Sequence, residues 1–164
     1  MAVWYHTSPI GDKIAVKIIK GFGVKAKIYK VEVENHEAVV VLVDWVAADF
    51  GRLDVIIANA GTPLKAGGLE DKLKNWNRVR AVYFDGAYYC AYAAGFVFNK
   101  QGYGNYIFIA SISGNAVNVP HEQSCYNACK AGVVSQDLSL PQIAPSRLIC
   151  LNILLLSGLS GWEM

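Results

Sequence analysis

The sequence predicts an α/β fold in which a parallel sheet is covered by helices. Short β-rich segments alternate with longer helical segments along the chain. Segments 54–58 and 106–110 are continuous apolar runs, which are typical of buried parallel strands. The chain has 164 residues, 54% of them hydrophobic, and this suits one domain with a sizeable core.

The first part of the chain is predicted to form a strand, a helix and a second strand. Ala2 to Tyr5 is a short β-rich run, and a helix follows from about Asp12 to Lys20. Gly21 and Gly23 can end that helix, because glycine takes the left-handed conformation at low cost. Lysine then alternates with Ala, Ile, Tyr or Val in the segment 25–33, as expected for a strand.

A second helix is predicted after Asn35, whose side chain can cap its first turn, and it ends near Phe50–Gly51. The interior of this segment, 39–43, is so rich in β-branched residues that propensity alone would also allow a strand. The remaining predicted elements are a central strand at Asp54–Ala58, a helical region at Leu73–Phe98, a strand at Tyr106–Ala110, a helix at Gln123–Leu138 and a last strand at Leu148–Leu156.

The composition points to a small-molecule partner. The net charge of +2 comes from scattered residues, so no basic surface for nucleic acid or for a membrane is expected. The four cysteines and three histidines have no metal-ligand or disulfide spacing, which predicts no metal and a reducing, cytoplasmic location. The first eight residues lack a secretory pattern, and the apolar run 148–156 is too short to span a bilayer.

Polar residues follow the predicted strands at the ends where α/β sheets bind ligands. These residues are Asn59–Gly61, Ser111–Gly114 and, on the next helix, Tyr126 and Lys130. A tyrosine and a lysine four positions apart share one helix face. The cation favours the phenolate, so the phenol could exchange a proton with a substrate oxygen, and a serine at the adjacent strand end could hydrogen-bond the same oxygen.

These motifs, in this order, resemble the short-chain dehydrogenase/reductase family, and most closely its fungal NADP-dependent sorbose reductases and mannitol dehydrogenases. The resemblance covers about Ala2 to Pro145. It is carried by Val3–Pro9, Asp49–Val55, Ala58–Gly61, Ser111–Gly114, Asn118–Pro120 and Tyr126–Gly132. It implies a Rossmann-like parallel sheet with helices on both faces, lacking the first βα unit and the last strand region.

The resemblance also implies the catalytic roles. Tyr126 would be the acid that protonates a carbonyl, and Lys130 would favour its ionisation and hold the nicotinamide ribose. Ser111 would orient the substrate oxygen, because it directly follows the strand and lies three residues before Gly114. Ser113 remains an alternative for this role.

The cofactor implied by the resemblance is NADP(H), with NAD(H) as the weaker alternative. Asn59 would line the cofactor site together with Tyr126 and Lys130, and Glu32 occupies the position that usually meets adenine. Thr7 and Ser8 would face the ribose 2′ position, where an uncharged turn accommodates a 2′-phosphate better than an acidic residue would.

Three departures from the family pattern are visible. No glycine-rich turn opens a helix near the start of the chain, and Gly21–Gly23 is predicted to end one instead. The family's asparagine on the long helix falls at Tyr83, and Asn77 lies six residues too early to replace it. Beyond Pro145 the match decays, which suggests an incomplete dehydrogenase domain over residues 1–153 and a divergent tail over residues 154–164.

Two functions remain open at this point. One is an NADP(H)-dependent oxidoreductase that interconverts a ketone and a secondary alcohol, such as a polyol, a ketose or a secondary-metabolite carbonyl. The other is a cofactor-deficient remnant that pairs with a full-length relative. The aromatic cluster of Tyr83, Phe84, Tyr88, Tyr89 and Tyr92 is interpreted as a homo-oligomer interface, and Cys125 and Cys129 as packing residues.

Overall fold

The computed structural model describes residues 1–6, 9–63, 72–116, 123–139 and 147–151. Five strands and five α-helices alternate over these residues. In chain order they are β1 (Ala2–Tyr5), α1 (Pro9–Gly21), β2 (Lys27–Lys30), α2 (His36–Phe50), β3 (Val55–Ala58), α3 (Leu73–Arg80), α4 (Gly86–Gln101), β4 (Asn105–Ile109), α5 (Ser124–Ser139) and β5 (Arg147–Leu151). A π-helical segment, Ala81–Asp85, joins α3 to α4, and a 3₁₀ turn, Ile112–Gly114, follows β4.

All strand pairs are parallel, as the sequence predicts. Within the described residues the strands form two hydrogen-bonded groups, β1–β2 and β3–β4–β5. Helix α1 packs on β1 and β2, whereas α2 and α4 pack on each other and cover a shared core. The fold is therefore the expected Rossmann-like α/β arrangement.

The core lies between the strands and helices α2, α4 and α5. Its largest fully buried side chains are Val39, Val43, Phe98, Tyr106, Phe108 and Val133. The hydroxyl of Tyr106 donates a hydrogen bond to the Ala87 carbonyl at 2.8 Å, so β4 is fixed to α4 by a polar contact inside an apolar core. The polar residues of interest begin at the other end of this strand, after Ile109.

The predicted cap of α2 is confirmed. The Asn35 side chain accepts a hydrogen bond from the Ala38 amide at 3.0 Å, and Gly51 closes the helix with φ of 76°. The β-branched interior is helical because Val39, Leu42, Val43 and Val46 form one buried stripe. Tertiary burial thus outweighs the strand propensity of these residues.

The structure corrects the prediction that segment 54–58 is a central strand. Among the described strands β3 pairs only with β4, so it lies at the edge of its sheet. Val55 and Ile57 are 45% and 57% exposed, while Ile56 between them is buried. The apolar run correctly indicates a strand, but it does not reveal which neighbours cover it.

Other predictions differ only in their limits. Helix α1 begins at Pro9 rather than near Asp12, because proline is well suited to the first helical position. The region predicted as one helix from Leu73 continues to Gln101 and contains the π segment. The last strand begins at Arg147, and residues 152–164, including the divergent tail, lie outside the described residues.

Candidate active site

The candidate site lies where β3 and β4 end and helix α5 passes them. Ala58 pairs with Phe108 in the β3–β4 register, so the segments after the two strands start side by side. Helix α5 packs on the 3₁₀ turn that follows β4. The predicted convergence of the Asn59, Ser111 and Tyr126 segments therefore has a clear basis in the topology.

The 3₁₀ turn after β4 presents the two candidate serines differently. Ser111 caps the turn, and its Oγ accepts a hydrogen bond from the Ser113 amide at 3.2 Å. Ser111 is half-buried, whereas Ser113 is buried and its Oγ accepts from the Gln123 side-chain amide at 3.4 Å. The hydroxyl of Ser111 is thus the more accessible of the two.

Gly114 holds this turn against α5. A Cβ at position 114 would lie 2.8 Å from the Ala131 nitrogen and 2.8 Å from the Lys130 carbonyl carbon. The contact is therefore between two backbones, and only a residue without a side chain permits it. The close approach fixes the distance between the Ser111 turn and the helix that carries Lys130.

Lys130 is a buried cation, only 6% exposed. Its Nζ donates a hydrogen bond to the Ile109 carbonyl at the end of β4, and it lies 5.6 Å from the centre of the Tyr126 ring. The prediction that Tyr126 and Lys130 share one face of α5 is confirmed. Burial lowers the pKa of Lys130, and the Cys129 thiol opposes this effect.

Tyr83 completes the group, and the sequence did not predict this role. Its ring makes an edge contact with Tyr126, with centroids 5.0 Å apart and an interplanar angle of 81°. The Lys130 Nζ lies 5.0 Å from the centre of the Tyr83 ring. Assigning Tyr83 to an oligomer interface was therefore wrong. The same holds for Phe84, whose ring packs against Gly132 inside the protein.

A cleft opens beside this group and is lined by small residues of the strand ends. Ala58 and Ala60 come from the β3 end, Ile109 comes from the β4 end, and Tyr83 and Lys130 also line it. Its volume is about 20 Å³, which holds one water molecule, and neither Ser111 nor Tyr126 is part of its lining. The fit to a cofactor is therefore one of chemistry: the Lys130 cation beside the Tyr126 phenol suits a hydroxyl-bearing sugar such as the nicotinamide ribose of a dinucleotide.

The described residues offer no such fit to the diphosphate end of a dinucleotide. A glycine-rich turn that opens a helix would supply the backbone amides for it. Gly23 instead has φ of 75° and follows the end of α1, as the sequence predicts. The start of α2 is already capped by Asn35. Neither described segment offers a diphosphate cradle.

The other predicted cofactor residues follow β2 and β3 or fall outside the described residues. Asn59 is exposed just after β3, and its backbone N–H donates a hydrogen bond to the Ile57 carbonyl at 3.0 Å. Glu32 is exposed after β2, with a carboxylate oxygen 3.6 Å from His6 Nε2. Thr7 and Ser8 lie outside the described residues.

The cysteines of α5 are packing residues, as predicted. Cys125 and Cys129 are buried beside Val79, Tyr83 and Tyr126, and the Cys125 thiol donates to the Trp76 carbonyl. Burial, followed by the contact with Cys125, raises the pKa of Cys129 to about 12. In the part of the chain that the structure describes, no three potential ligands gather as a metal site, and no helix could cross a membrane.

Comparisons with known proteins agree with this geometry. A family profile described as enoyl-(acyl carrier protein) reductase matches residues 1–140. A probable NADP-dependent mannitol dehydrogenase of Yarrowia lipolytica is 44% identical over 85% of this chain and 51% of its own length. A sorbose reductase of Candida albicans is 36% identical over 80% of this chain and 47% of its own length.

Solved structures give the same result. The NADPH-dependent 3-quinuclidinone reductase of Rhodotorula rubra superimposes with a TM-score of 0.84 and 35% identity, over 92% of this chain and 58% of that one. A short-chain dehydrogenase/reductase of Mycobacterium marinum matches with the same TM-score and 26% identity. The chain spans about half the length of the curated relatives that it matches.

Proposed function

Because the chain belongs to the short-chain dehydrogenase/reductase family, we propose that it is an NADP(H)-dependent oxidoreductase that interconverts a ketone and a secondary alcohol. The observation that carries this proposal is the buried Lys130 ammonium, held between the β4 carboxyl end and the Tyr126 ring. An ammonium is costly to bury. Its position beside a phenol indicates a chemical role.

In this proposal Tyr126 donates its hydroxyl proton to the substrate oxygen as the ketone is reduced, and it takes the proton back during alcohol oxidation. Lys130 assists because its positive charge favours the phenolate that forms when the proton leaves. The hydrogen bond from Lys130 to the Ile109 carbonyl keeps the ammonium in place during both ketone reduction and alcohol oxidation.

Ser111 is the proposed partner of the substrate oxygen. Its Oγ already accepts a bond from the Ser113 amide, which fixes the oxygen and leaves the hydroxyl proton to point toward a ligand. Ser113 donates and accepts within the turn and toward Gln123, so it supports the turn in this proposal. Ser111 and Tyr126 together would bind one carbonyl oxygen from two sides.

NADP(H) would supply the hydride when bound. Tyr126, Lys130 and Asn59 would line its nicotinamide–ribose end, Glu32 would approach its adenine end, and Thr7 with Ser8 would face the 2′-phosphate. The relatives named as NADP-dependent support this choice over NAD(H). Their names also support a polyol or ketose as substrate.

A homo-oligomer in the cytoplasm completes the proposal. Tyr88, Tyr92 and Phe96 leave an exposed aromatic row on α4, which suits an interface between copies. The proposed cytoplasmic location rests on the cysteine spacing, which has no disulfide pattern.

The decisive test is NADPH consumption with a panel of ketoses, followed at 340 nm. Replacing Tyr126 with Phe should lower kcat by about a hundredfold or more, the usual contribution of a general acid. Tyr103→Phe is the matched control, since this exposed tyrosine precedes β4 and lies at the opposite end of the strand from Ser111. Equal rates for wild type and Tyr126→Phe would remove the proposed mechanism.

A second candidate is a non-catalytic partner of a full-length relative. Its support is that β1 and β3 each pair on one side only among the described strands, which leaves backbone groups open to another chain. Calorimetric titration with NADPH separates the two candidates. Binding of NADPH by this chain alone supports the enzyme, whereas binding of this chain to a full-length relative, with no NADPH binding by this chain alone, supports the partner.

A further inference from the structure

We infer that Tyr83 is a positioning residue, whose ring orients Tyr126 and supports the Lys130 ammonium. The inference deepens the proposed function, on which its catalytic meaning rests. The three side chains come from two different elements, the π segment and α5. Tyr83 is the one member of the group that reaches from the long helical region to the residues that follow β3.

The hydroxyl of Tyr83 is fixed by one peptide segment. It donates a hydrogen bond to the Thr62 carbonyl at 2.8 Å and accepts one from the Thr62 amide at 3.2 Å. Gly61 allows this approach, because a Cβ there would lie 2.9 Å from the Tyr83 oxygen and 3.1 Å from its ring. The turn after β3 and the phenol therefore fit one another closely.

These bonds also exclude Tyr83 as the proton donor to a substrate. Its hydroxyl proton is directed at the Thr62 carbonyl, and burial raises the pKa of Tyr83 above its usual value. The phenol remains protonated and keeps its two bonds. What remains available to the site is the ring, not the hydroxyl.

The ring acts on both catalytic groups. Its edge contact with Tyr126 restricts the plane of the Tyr126 ring, and its face lies under the Lys130 ammonium at 5.0 Å. Around Lys130 the structure places the Tyr126 ring and the Cys129 thiol on its own helix, the Ile109 carbonyl on β4 and Tyr83 on the π segment. A cation–π contact stabilises the charged amine, which burial disfavours.

The test measures the titration of the Lys130 amine by ¹⁵N NMR in lysine-labelled protein. Its Nζ signal is assigned by its loss in Lys130→Arg. Tyr83→Met removes the ring while nearly filling its space, and Tyr83→Phe keeps the ring without the hydroxyl. We expect the Lys130 midpoint to move to lower pH in Tyr83→Met and to stay at the wild-type position in Tyr83→Phe. Identical titrations in all three proteins would overturn the inference.

Two further measurements keep the test decisive. Tyr83→Met should lower kcat by roughly tenfold at unchanged KM for the ketone, the size expected for one lost aromatic contact. If Tyr83→Met does not fold, Tyr83→Leu replaces it. A Lys130 midpoint below that of wild type supports the inference, and one at or above it overturns it.

The outcomes separate this inference from the proposed function. Wild-type protein without NADPH-dependent activity would remove the function, yet the NMR titration would still decide the role of the Tyr83 ring. Active wild-type protein with an unshifted Lys130 signal in Tyr83→Met would keep the function and overturn the inference.

Discussion

Replacing Gly114 with alanine should loosen the contact between the Ser111 turn and α5. The new Cβ would lie 2.8 Å from two backbone atoms of α5, and an ordinary contact begins at 3.4 Å, so the turn must retreat by about 0.6 Å. Neither neighbour is a flexible side-chain tip that could swing away. Overpacking of this kind costs about 1–3 kcal/mol. For a chain of this size, that lowers Tm by roughly 2–12 °C.

Thermal unfolding followed by circular dichroism measures this cost. Gly21→Ala is the matched control, because it ends α1 and no atom lies within 4 Å of its added Cβ. That variant should unfold at the wild-type temperature or slightly above it. Because the turn carries Ser111, Gly114→Ala should also lower the proposed ketone-reducing activity. If Gly114→Ala unfolds at the same temperature as Gly21→Ala, the argument that Gly114 is required for close packing is refuted.

Three smaller predictions concern packing, capping and charge. Burial raises the pKa of both Cys90 and Cys129 to about 12, so iodoacetamide at pH 8 should alkylate them at least a hundredfold more slowly in folded protein than in urea, as measured by mass spectrometry. Asn35→Ala should lower the free energy of unfolding by about 1 kcal/mol in urea titrations, because the Ala38 amide loses its acceptor. Desolvation, and then the hydrogen bond to Asp49, raises the pKa of Tyr29 from 10.0 to about 12, so Asp49→Asn should shift its ionisation at 295 nm to lower pH. Since the folded-state pKa of Tyr29 is the higher one, the contribution of its hydroxyl to stability is present at neutral pH and is lost as the pH rises from 10 toward 12.

The parts of the fold that were predictable are those set by neighbouring residues. Asn35 bonds to an amide three residues away, and Gly51 ends α2 by its own backbone conformation. Tyr126 and Lys130 come together because one helical turn separates them. Interactions between residues this close in the chain can be predicted from a short window of sequence.

The features that were missed depend on residues far apart in the chain. The π segment coincides with a close approach of Gly86 to Val33, where a Cβ would lie 3.0 Å from the valine side chain. Tyr83 reaches the site by bonding to Thr62, 21 residues earlier. Its place at the family's asparagine position was visible in the sequence, but the Thr62 and Tyr126 contacts that define its role were not.

The exposure of one face of β3 could not be predicted either, because it depends on residues far apart in the chain. Val55 and Ile57 have the composition of an interior strand, yet their exposure depends on what packs beside them. Composition reports how much apolar surface a strand can offer, and only tertiary structure decides how much of that surface is covered. The exposed face of β3 is therefore a property of the assembled fold.

The central claim is that Tyr126 passes a proton to a carbonyl at the end of a parallel sheet while a nicotinamide supplies the hydride. Transfer of deuterium from [4,4-²H₂]NADPH to a ketose, measured by mass spectrometry of the alcohol, tests this most directly. The account predicts that wild-type protein forms alcohol with one deuterium per molecule, and that Tyr126→Phe forms this deuterated alcohol about a hundredfold more slowly or less. Equal rates of deuterium incorporation by both proteins, or no incorporation by wild-type protein that binds NADPH, would contradict it.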